Sequence, residues 1–586
     1  MHVVATAGHV DHGKSALVRA LTGTEPDRLA EEHRRGLSIQ LGYAWTTLPG
    51  AREVAFVDVP GHERFISTTL AGLGPVPAVL FVVAADDPWM PQAAEHLAAL
   101  DALGVEHGVL AVTRADLADP GPARERALAE LAATSLRGAP AVTLSARTGQ
   151  GLDELRAALV RMVAALPSPP TDAPVRLWVD RSFTVAGAGT VVTGTLPAGR
   201  VAAGDRLEAE GTEHRVRAVQ SLGRDVEGAE GVARVALNLA GDAPVARGDV
   251  LVTPGAWHRT DVVDVRLGPP RLGDGAAPQR PVLHVGSALV GVHHRPLAPG
   301  VARLLLDRRL PLRVGDRALL RDPGTRRLWA VTVLDPAPPP LGRRGAARAR
   351  GRALAAADGR PDLATEVARR GVVAAALLAR IGVPVDGTDA DVVRAGGWLL
   401  SPDRVAAAAR EAVDVVREHA RSAPLDPPLT LAALAERLGL PGPEPAAAVV
   451  AAPLRVEAGR VVLDDADDVP PAVRAAVAAL GERLAEQPFA APAADELPAL
   501  GLDAKVQAAA ARAGLVLRPA PGVVLLAGTD DLAVERLAAL PQPFTVSQAR
   551  RHLGTSRRVV LALLAHLDRT GRTRRLPDDS RRVTGR

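Results

Sequence analysis

The residues best placed to do chemistry open the chain, in Gly8-His9-Val10-Asp11-His12-Gly13-Lys14-Ser15. They follow a short apolar run (Val3, Val4, Ala5) and precede a helix-like stretch from Ala16 to Leu21. Strand, glycine loop and helix in that order make an anion cradle. Backbone N–H groups point at phosphate oxygens, Lys14 reaches the β/γ-phosphates, and Ser15 offers a hydroxyl to Mg²⁺. The bland alternative is a glycine turn with a chance lysine. Against it, the chain holds 70 Lys+Arg but only two lysines, Lys14 and Lys505, so lysine here answers a local demand.

Further clusters complete the pattern. The strand Glu53–Val57 ends in Asp58-Val59-Pro60-Gly61-His62. A carboxylate there holds Mg²⁺ through water, the N–H of Gly61 can bond a γ-phosphate, and His62 lies beside an attacking water that it could orient. Ser38, in the polar stretch between first helix and next strand, is a candidate second hydroxyl ligand to Mg²⁺. After the strand Val109–Val112, Thr113-Arg114-Ala115-Asp116 resembles the N-K-x-D element with which GTPases read guanine. Asp116 would accept from the base N1–H and exocyclic amine, a bidentate contact adenine cannot offer, while the stem of Arg114 lies against the ring. Ser145-Ala146, after the strand Ala141–Leu144, matches the element that closes over the base. The expected ligands are GTP/GDP and Mg²⁺.

Gly8–Ser15 and Asp58–His62 together resemble translational GTPases. Within that class, Asp27-Arg28-Leu29, Glu31-Glu32 and Arg35-Gly36-Leu37-Ser38-Ile39, followed by Leu41-Gly42-Tyr43-Ala44, resemble the selenocysteine-specific elongation factors of bacteria. That family usually has threonine where this chain has Ser38. The resemblance implies a chain that carries selenocysteyl-tRNA to the ribosome at UGA codons, recruited by an mRNA hairpin and hydrolysing GTP. It also implies that Asp180, Arg181 and Arg234 line the aminoacyl pocket. Two guanidiniums there could separate an ionised selenol from a neutral serine hydroxyl by charge; a barrel-surface salt bridge is the bland alternative.

A chain of 586 residues exceeds one core. The patterns predict a multidomain protein: an α/β P-loop GTPase domain over 1–170, then two all-β barrel domains over 171–257 and 258–338. A basic linker over 339–352 leads to tandem α+β winged-helix domains over 353–422, 423–486, 487–535 and 536–586. The stretch Ala337–Arg352 holds three consecutive prolines and five arginines, and reads equally as a flexible hinge or an RNA contact. The absence of cysteine excludes disulfides and thiolate metal sites. Without a signal-like start or a membrane-length apolar run, the expectation is a cytosolic protein, monomeric and without membrane contact.

The pI of 10.2 mostly reflects the scarcity of groups titrating between histidine and arginine, since the formal charge is only +4. That charge is uneven. From Leu540 to Arg586 there are eleven arginines against three aspartates. Arg557 and Arg558 start the second helix of the last unit, and Arg572, Arg574, Arg575, Arg581 and Arg582 decorate its wing. These are the elements that touch nucleic acid in winged helices, and the family resemblance places the mRNA hairpin there. The alternatives are another tRNA-carrying translational GTPase, which has no use for the appended winged helices, and a GTP-switched regulator that binds duplex DNA.

Overall fold

The computed structural model describes residues 1–26, 38–50, 52–74, 76–185, 189–241, 244–387, 391–464 and 469–584. The segment Asp27–Leu37, which carries most of the resemblance around the switch, lies outside them. The chain divides into two compact units, one of residues 1–369 and 374–388, the other of 370–373 and 389–586.

The first unit begins with a six-stranded sheet of β1 (His2–Ala7), β2 (Gly42–Leu48), β3 (Arg52–Asp58), β4 (Ala78–Ala84), β5 (His107–Thr113) and β6 (Ala141–Thr143). The strand order is β2-β3-β1-β4-β5-β6, parallel except for the β2–β3 pair. The helices are α1 (Lys14–Thr22), α2 (Ile66–Leu73), α3 (Pro91–Leu103), α4 (Gly121–Ala132) and α5 (Leu152–Ala164). Separate apolar layers pack on the two faces of the sheet, so strands such as β4 are buried throughout and read as unbroken apolar runs. Strand order reverses at β1, and ligands of such sheets bind at the carboxyl ends of the strands near that point. Gly8–Ser15 emerges there.

Two antiparallel barrels follow. The first closes through the pairing of Arg206–Ala209 with Thr212–Ser221, and its strand Ala233–Ala240 alternates buried and half-buried residues, as a barrel wall requires. The second is closed by six strands between Arg259 and Asp335.

The expected basic linker is instead a docked helix, α6 (Ala346–Leu354), and its Arg350 is buried between Asp264 and Asp335. Two buried carboxylates need a cation, and this arginine supplies it. The expected domain over 353–422 is also divided, because residues 353–369 and 374–388 belong to the first unit. Backbone bonding of Val314 N–H to the Ile381 carbonyl (2.9 Å) and the Arg369 ion pairs with Glu366 and Asp335 hold them there.

In the second unit, helices followed by short hairpins recur. Each three-helix set starts earlier than the sequence pattern suggests, at Pro402, Pro471 and Thr529. Helix Thr529–Ala538 belongs with the last winged helix, tied to it by Arg572 pairing with Asp530 (3.1 Å) and Asp531. The capping box at Thr545 is formed in both directions. The last two winged helices share one apolar core from Val473 to Leu567.

Candidate functional site

The phosphate loop takes its shape from glycines that a side chain would disrupt. Gly8 has φ 134°, and a Cβ there would run into the carbonyl oxygen of Val82. Gly13 (φ 81°) turns the chain into α1. Lys14 is buried, and its Nζ donates to the carbonyls of His9 (2.7 Å) and Gly8 (3.3 Å), which sets it inside the loop. Gly61 closes in from β3: a Cβ there would sit 2.5 Å from both Lys14 Nζ and Val10 N. The loop and the Asp58–His62 element are thus in contact, with no room for a side chain between them.

The three oxygen donors expected for a metal converge. Ser15 Oγ donates to Asp58 Oδ2 (2.6 Å) and lies 3.2 Å from Ser38 Oγ. Asp58 is fully buried, and its other oxygen accepts from Thr6 Oγ1 (2.6 Å), which in turn accepts from Val59 N–H (3.1 Å). One carboxylate and two hydroxyls fit Mg²⁺, which takes few protein ligands and leaves positions for phosphate and water.

Histidines surround the loop. His12 Nε2 and Asp87 Oδ2 are 3.1 Å apart, and His9 and His12 meet edge to face. Burial pushes His12 down to about 4. His96 on α3, which sequence reasoning missed, accepts from Gly8 N–H through Nδ1 (3.1 Å). Burial and the nearby Lys14 push it down to about 3, so it remains a neutral acceptor. His62 is half-buried in the turn before α2, and its Nδ1 accepts from Arg64 N–H (3.2 Å).

The residues expected to read the base divide between two tasks. Thr113 is buried, and its hydroxyl donates to His12 O (2.7 Å) and reaches Val83 O (3.2 Å), so it braces the loop and does not face a base. Arg114 (φ 57°) bonds both oxygens of Asp86 (3.2 and 3.1 Å) and the Asp11 carbonyl. Asp116 lies against Arg147, whose Nε is 3.0 Å away, and beside Ser145. The Ser145 hydroxyl, with Arg147 in a lesser role, holds the Asp116 carboxyl below the usual carboxylate range. Ala146 follows in the same turn. Arg147 was not legible as a site residue, because an exposed arginine in an arginine-rich chain carries no signal.

In the first barrel, Asp180, Arg181 and Arg234 come together around a residue of the nucleotide domain, Tyr43 on β2. Asp180 is buried and bonds both guanidinium nitrogens of Arg234, with Nη2–Oδ1 at 3.2 Å. Thr193 Oγ1 donates to Asp180 (2.7 Å). Arg234 and Arg181 both lie over the Tyr43 ring, at 4.1 and 4.9 Å from its centroid. Arg181 also donates to the Leu41 carbonyl. Burial would lower Arg234, but Asp180 outweighs it and keeps the cation fully charged. A cavity of about 140 Å³ beside this cluster is lined by Tyr43, Trp45, Thr193 and Arg234.

The C-terminal arginines separate into committed and free groups. Arg581 is buried, 2.9 Å from Asp568, and its backbone pairs with Phe544; it is a structural cation and not an RNA contact. Arg558 donates to the carbonyls of Gly522 (2.6 Å) and Pro492 (2.8 Å), which ties it to the preceding winged helix. Arg572 pairs with Asp530 and Asp531, and Arg575 with Asp579. Charge counting overstated the available cations because these partners are distant in sequence or sit across a tight turn. Among the described residues, Arg557, Arg574 and Arg582 pair with no carboxylate. Arg574 and Arg582 face each other across the wing, an arrangement that like charges disfavour unless an anion joins them.

Comparison with known proteins agrees with this layout. The family "Elongation factor Tu GTP binding domain" matches residues 1–165, and "Elongation factor SelB, winged helix" matches residues 535–582. The chain is 39% identical over 350 residues to the selenocysteine-specific elongation factor of Escherichia coli, covering 57% of this chain and 56% of that one. It is 37% identical over 336 residues to that of Desulfomicrobium baculatum, covering 54% and 53%. The chain thus spans about half the length of the curated relatives it matches. It is 35% identical over 299 residues to translation initiation factor 2 subunit gamma of Halobacterium salinarum, covering 42% of this chain and 72% of that one. A crystal structure of a bacterial selenocysteine-specific elongation factor shares the fold over 100% of both chains, with a TM-score of 0.80 at 24% identity. The chain belongs to the translational GTPases.

Proposed function

We propose that this protein is a GTP-hydrolysing elongation factor that delivers selenocysteyl-tRNA to the ribosome at UGA codons, recruited by an mRNA hairpin. The observation that carries the proposal is the cationic cluster of Arg181 and Arg234 around Tyr43. It lies in the first barrel and touches the strand that leads from the metal-ligand hydroxyl of Ser38.

The backbone amides of Gly8–Ser15 and the N-terminus of α1 cradle the phosphates, and Lys14 neutralises charge between β and γ. Ser15, Ser38 and Asp58 would hold Mg²⁺, with Thr6 fixing the orientation of Asp58; the ion supplies charge neutralisation on the phosphates. Asp116 accepts the two guanine donors, and Arg114 and Ala146 flank the base. His62 orients water for attack on the γ-phosphorus, a role that needs it to turn from Arg64 towards the loop.

In the barrel, Asp180 neutralises Arg234, so Arg181 is the guanidinium with charge to spare. It pairs with the selenolate and gains nothing comparable from a serine hydroxyl. At the other end of the chain, Arg557, Arg574 and Arg582 hold RNA phosphates and splayed bases. Equilibrium binding of selenocysteyl-tRNA and seryl-tRNA to the GTP-loaded protein tests the reading. A preference for the first of at least tenfold is expected; equal affinities overturn it.

A further inference from the structure

Tyr43 is the only tyrosine in the chain, which holds six phenylalanines. Stacking under Arg234 and Arg181 uses its ring alone, and a phenylalanine would receive the two guanidiniums almost as well. What the fold leaves without a task is the hydroxyl. The side chain is half-buried, yet its oxygen is wholly enclosed and has no hydrogen-bond partner among the described residues. A buried polar group without a partner is costly and rare, and calls for a reason.

Its neighbours do not supply one. Asp180 lies close but is engaged elsewhere, accepting from both terminal nitrogens of Arg234 and from Thr193 Oγ1 (2.7 Å). Arg234 also donates to Thr195 Oγ1 (3.1 Å), and Arg181 donates to the Leu41 carbonyl. A guanidinium carries no acceptor, so the phenolic proton has nothing to meet on either arginine. Burial outweighs the nearby Arg234 and holds the phenol above its usual range. It therefore stays a neutral O–H donor at physiological pH.

The donor is also held in place. Tyr43 and Trp45 share one face of β2. Trp45 packs so closely on the barrel that a Cβ at Gly223 would lie 2.9 Å from its ring. The cavity of about 140 Å³ at this seam combines Tyr43, Thr193 and Arg234 with apolar Trp45, Phe56 and Leu222. Such a space takes several water-sized groups. Its lining offers a cation, a neutral donor and apolar wall, which suits a large, weakly hydrated anion on a short stem.

We propose that the Tyr43 hydroxyl donates a hydrogen bond to the selenolate of the bound aminoacyl group and so helps select it over serine. The inference rests on the selenocysteyl reading and adds to it a specificity residue from outside the barrel. Cations come from the first barrel, and the neutral donor comes from β2 of the nucleotide domain. An anion accepts such a bond more strongly than a neutral hydroxyl does, so the donor favours the selenium ester.

The test compares the full GTP-loaded chain with its Tyr43→Phe variant in equilibrium binding of selenocysteyl-tRNA and seryl-tRNA. This substitution removes one oxygen and keeps the ring beneath both guanidiniums. Affinity for selenocysteyl-tRNA should fall about tenfold, the usual scale of a bond to a charged group, while that for seryl-tRNA stays unchanged. Thermal unfolding without tRNA should be unchanged or later, because no internal bond is lost and a buried polar atom is removed. If the parent prefers selenocysteyl-tRNA and Tyr43→Phe keeps the whole preference, this inference falls and the selenocysteyl reading stands. A parent that does not discriminate overturns both. Equal loss for the two esters, or earlier unfolding, would assign the hydroxyl to shaping the pocket and overturn donation to selenium.

Discussion

The guanidinium of Arg234 lies 4.1 Å from the ring centroid of Tyr43, joining the first barrel to strand β2 of the nucleotide domain. Five residues before Tyr43, Ser38 approaches Ser15, which in turn bonds Asp58. Between them, the Leu41 carbonyl accepts from Arg181. A short segment therefore touches the phosphate end of one site and both arginines of the other. Any nucleotide-dependent shift of Ser38 reaches the barrel pocket without a long relay.

The two pocket arginines should behave differently when removed. Arg181 bonds a carbonyl and stacks on Tyr43, so Arg181→Ala should leave stability nearly intact and reduce the preference for selenocysteyl- over seryl-tRNA. A charge-assisted hydrogen bond contributes roughly 1.5–3 kcal/mol, or about one to two decades of discrimination. Arg234→Ala leaves Asp180 buried without its counter-charge, a loss of about 3–5 kcal/mol for such pairs. Adding Asp180→Asn should recover much of that stability. Binding assays with both esters, alongside urea unfolding of each variant, distinguish the two roles; equal destabilisation by both substitutions would contradict the assignment.

Stability should depend on pH through histidines held neutral by burial. His12 is pushed down to about 4, His96 to about 3, and His284 in the second barrel to about 4. Unfolded, each takes up a proton near pH 6.5, so between about 6.5 and the folded value the unfolded chain binds more protons. Their contribution is complete above 6.5 and is lost as pH falls through that window. The slope approaches about 1.4 kcal/mol per pH unit for each histidine. Urea titrations at pH 7.5 and 5.5 measure it. His96→Gln should reduce the difference and retain an acceptor for Gly8 N–H. A pH-independent midpoint would refute the prediction.

The arrangement of the candidate nucleotide site was legible because its residues fall in short local motifs. Gly8, Gly13, Lys14, Ser15, Asp58 and Gly61 meet in the structure as their spacing implies. What escaped the sequence are partners brought together by the fold. His96 is eighty-eight positions from Gly8, and Arg147 is thirty-one from Asp116. Arg350 reads as one more linker arginine until Asp264 and Asp335 are seen beneath it. The same blindness inflated the C-terminal charge, since nothing local reveals that Arg581 is buried on Asp568. Winged-helix boundaries shifted because each first helix follows the previous hairpin so closely that the pattern assigns it backwards.

Asp116 should decide base identity. Asp116→Asn should transfer preference from guanine towards xanthine nucleotides, whose C2 oxygen can accept from an amide. Arg147→Ala should weaken guanine binding by less, because Ser145 remains beside the carboxylate. Competition between GDP and xanthosine diphosphate reads this directly. If Asp116→Asn binds GDP as the parent does, the base is read elsewhere.

His62→Ala should retain GTP binding and slow ribosome-stimulated hydrolysis by about 10²–10⁴-fold, the usual worth of a positioned acid–base or water-orienting group. Single-turnover hydrolysis with ribosomes is the relevant measurement, since it separates the chemical step from product release. Hydrolysis at the parent rate would reduce His62 to a residue of the turn before α2.

The C-terminal unit should not behave as an isolated winged helix. Its core is continuous with that of the preceding unit, Thr555 donates to the Phe489 carbonyl, and Arg558 spans to Gly522 and Pro492. A fragment of residues 469–584 should therefore fold and bind hairpin RNA, whereas 529–584 should lose cooperativity in thermal unfolding. Within the larger fragment, Arg581→Ala strips Asp568 of its partner and should lower the melting temperature, affecting RNA only through unfolding. Arg582→Ala should leave melting unchanged, weaken cognate and scrambled hairpins alike, and make the salt slope shallower by about 0.7, the value for one phosphate on single-stranded RNA. Arg557→Ala should weaken the cognate hairpin more than the scrambled one, because Arg557 stands in the first turn of its helix, where dipole and side chain both attract an anion. Phe544, fully buried, contributes no base stacking, so specificity rests on such polar contacts. Filter binding over a salt series, run beside melting curves, separates these outcomes. Salt-resistant preference for duplex DNA, or equal loss of hairpin binding in Arg581→Ala and Arg582→Ala at unchanged melting temperature, would show that the wing is not organised in this way.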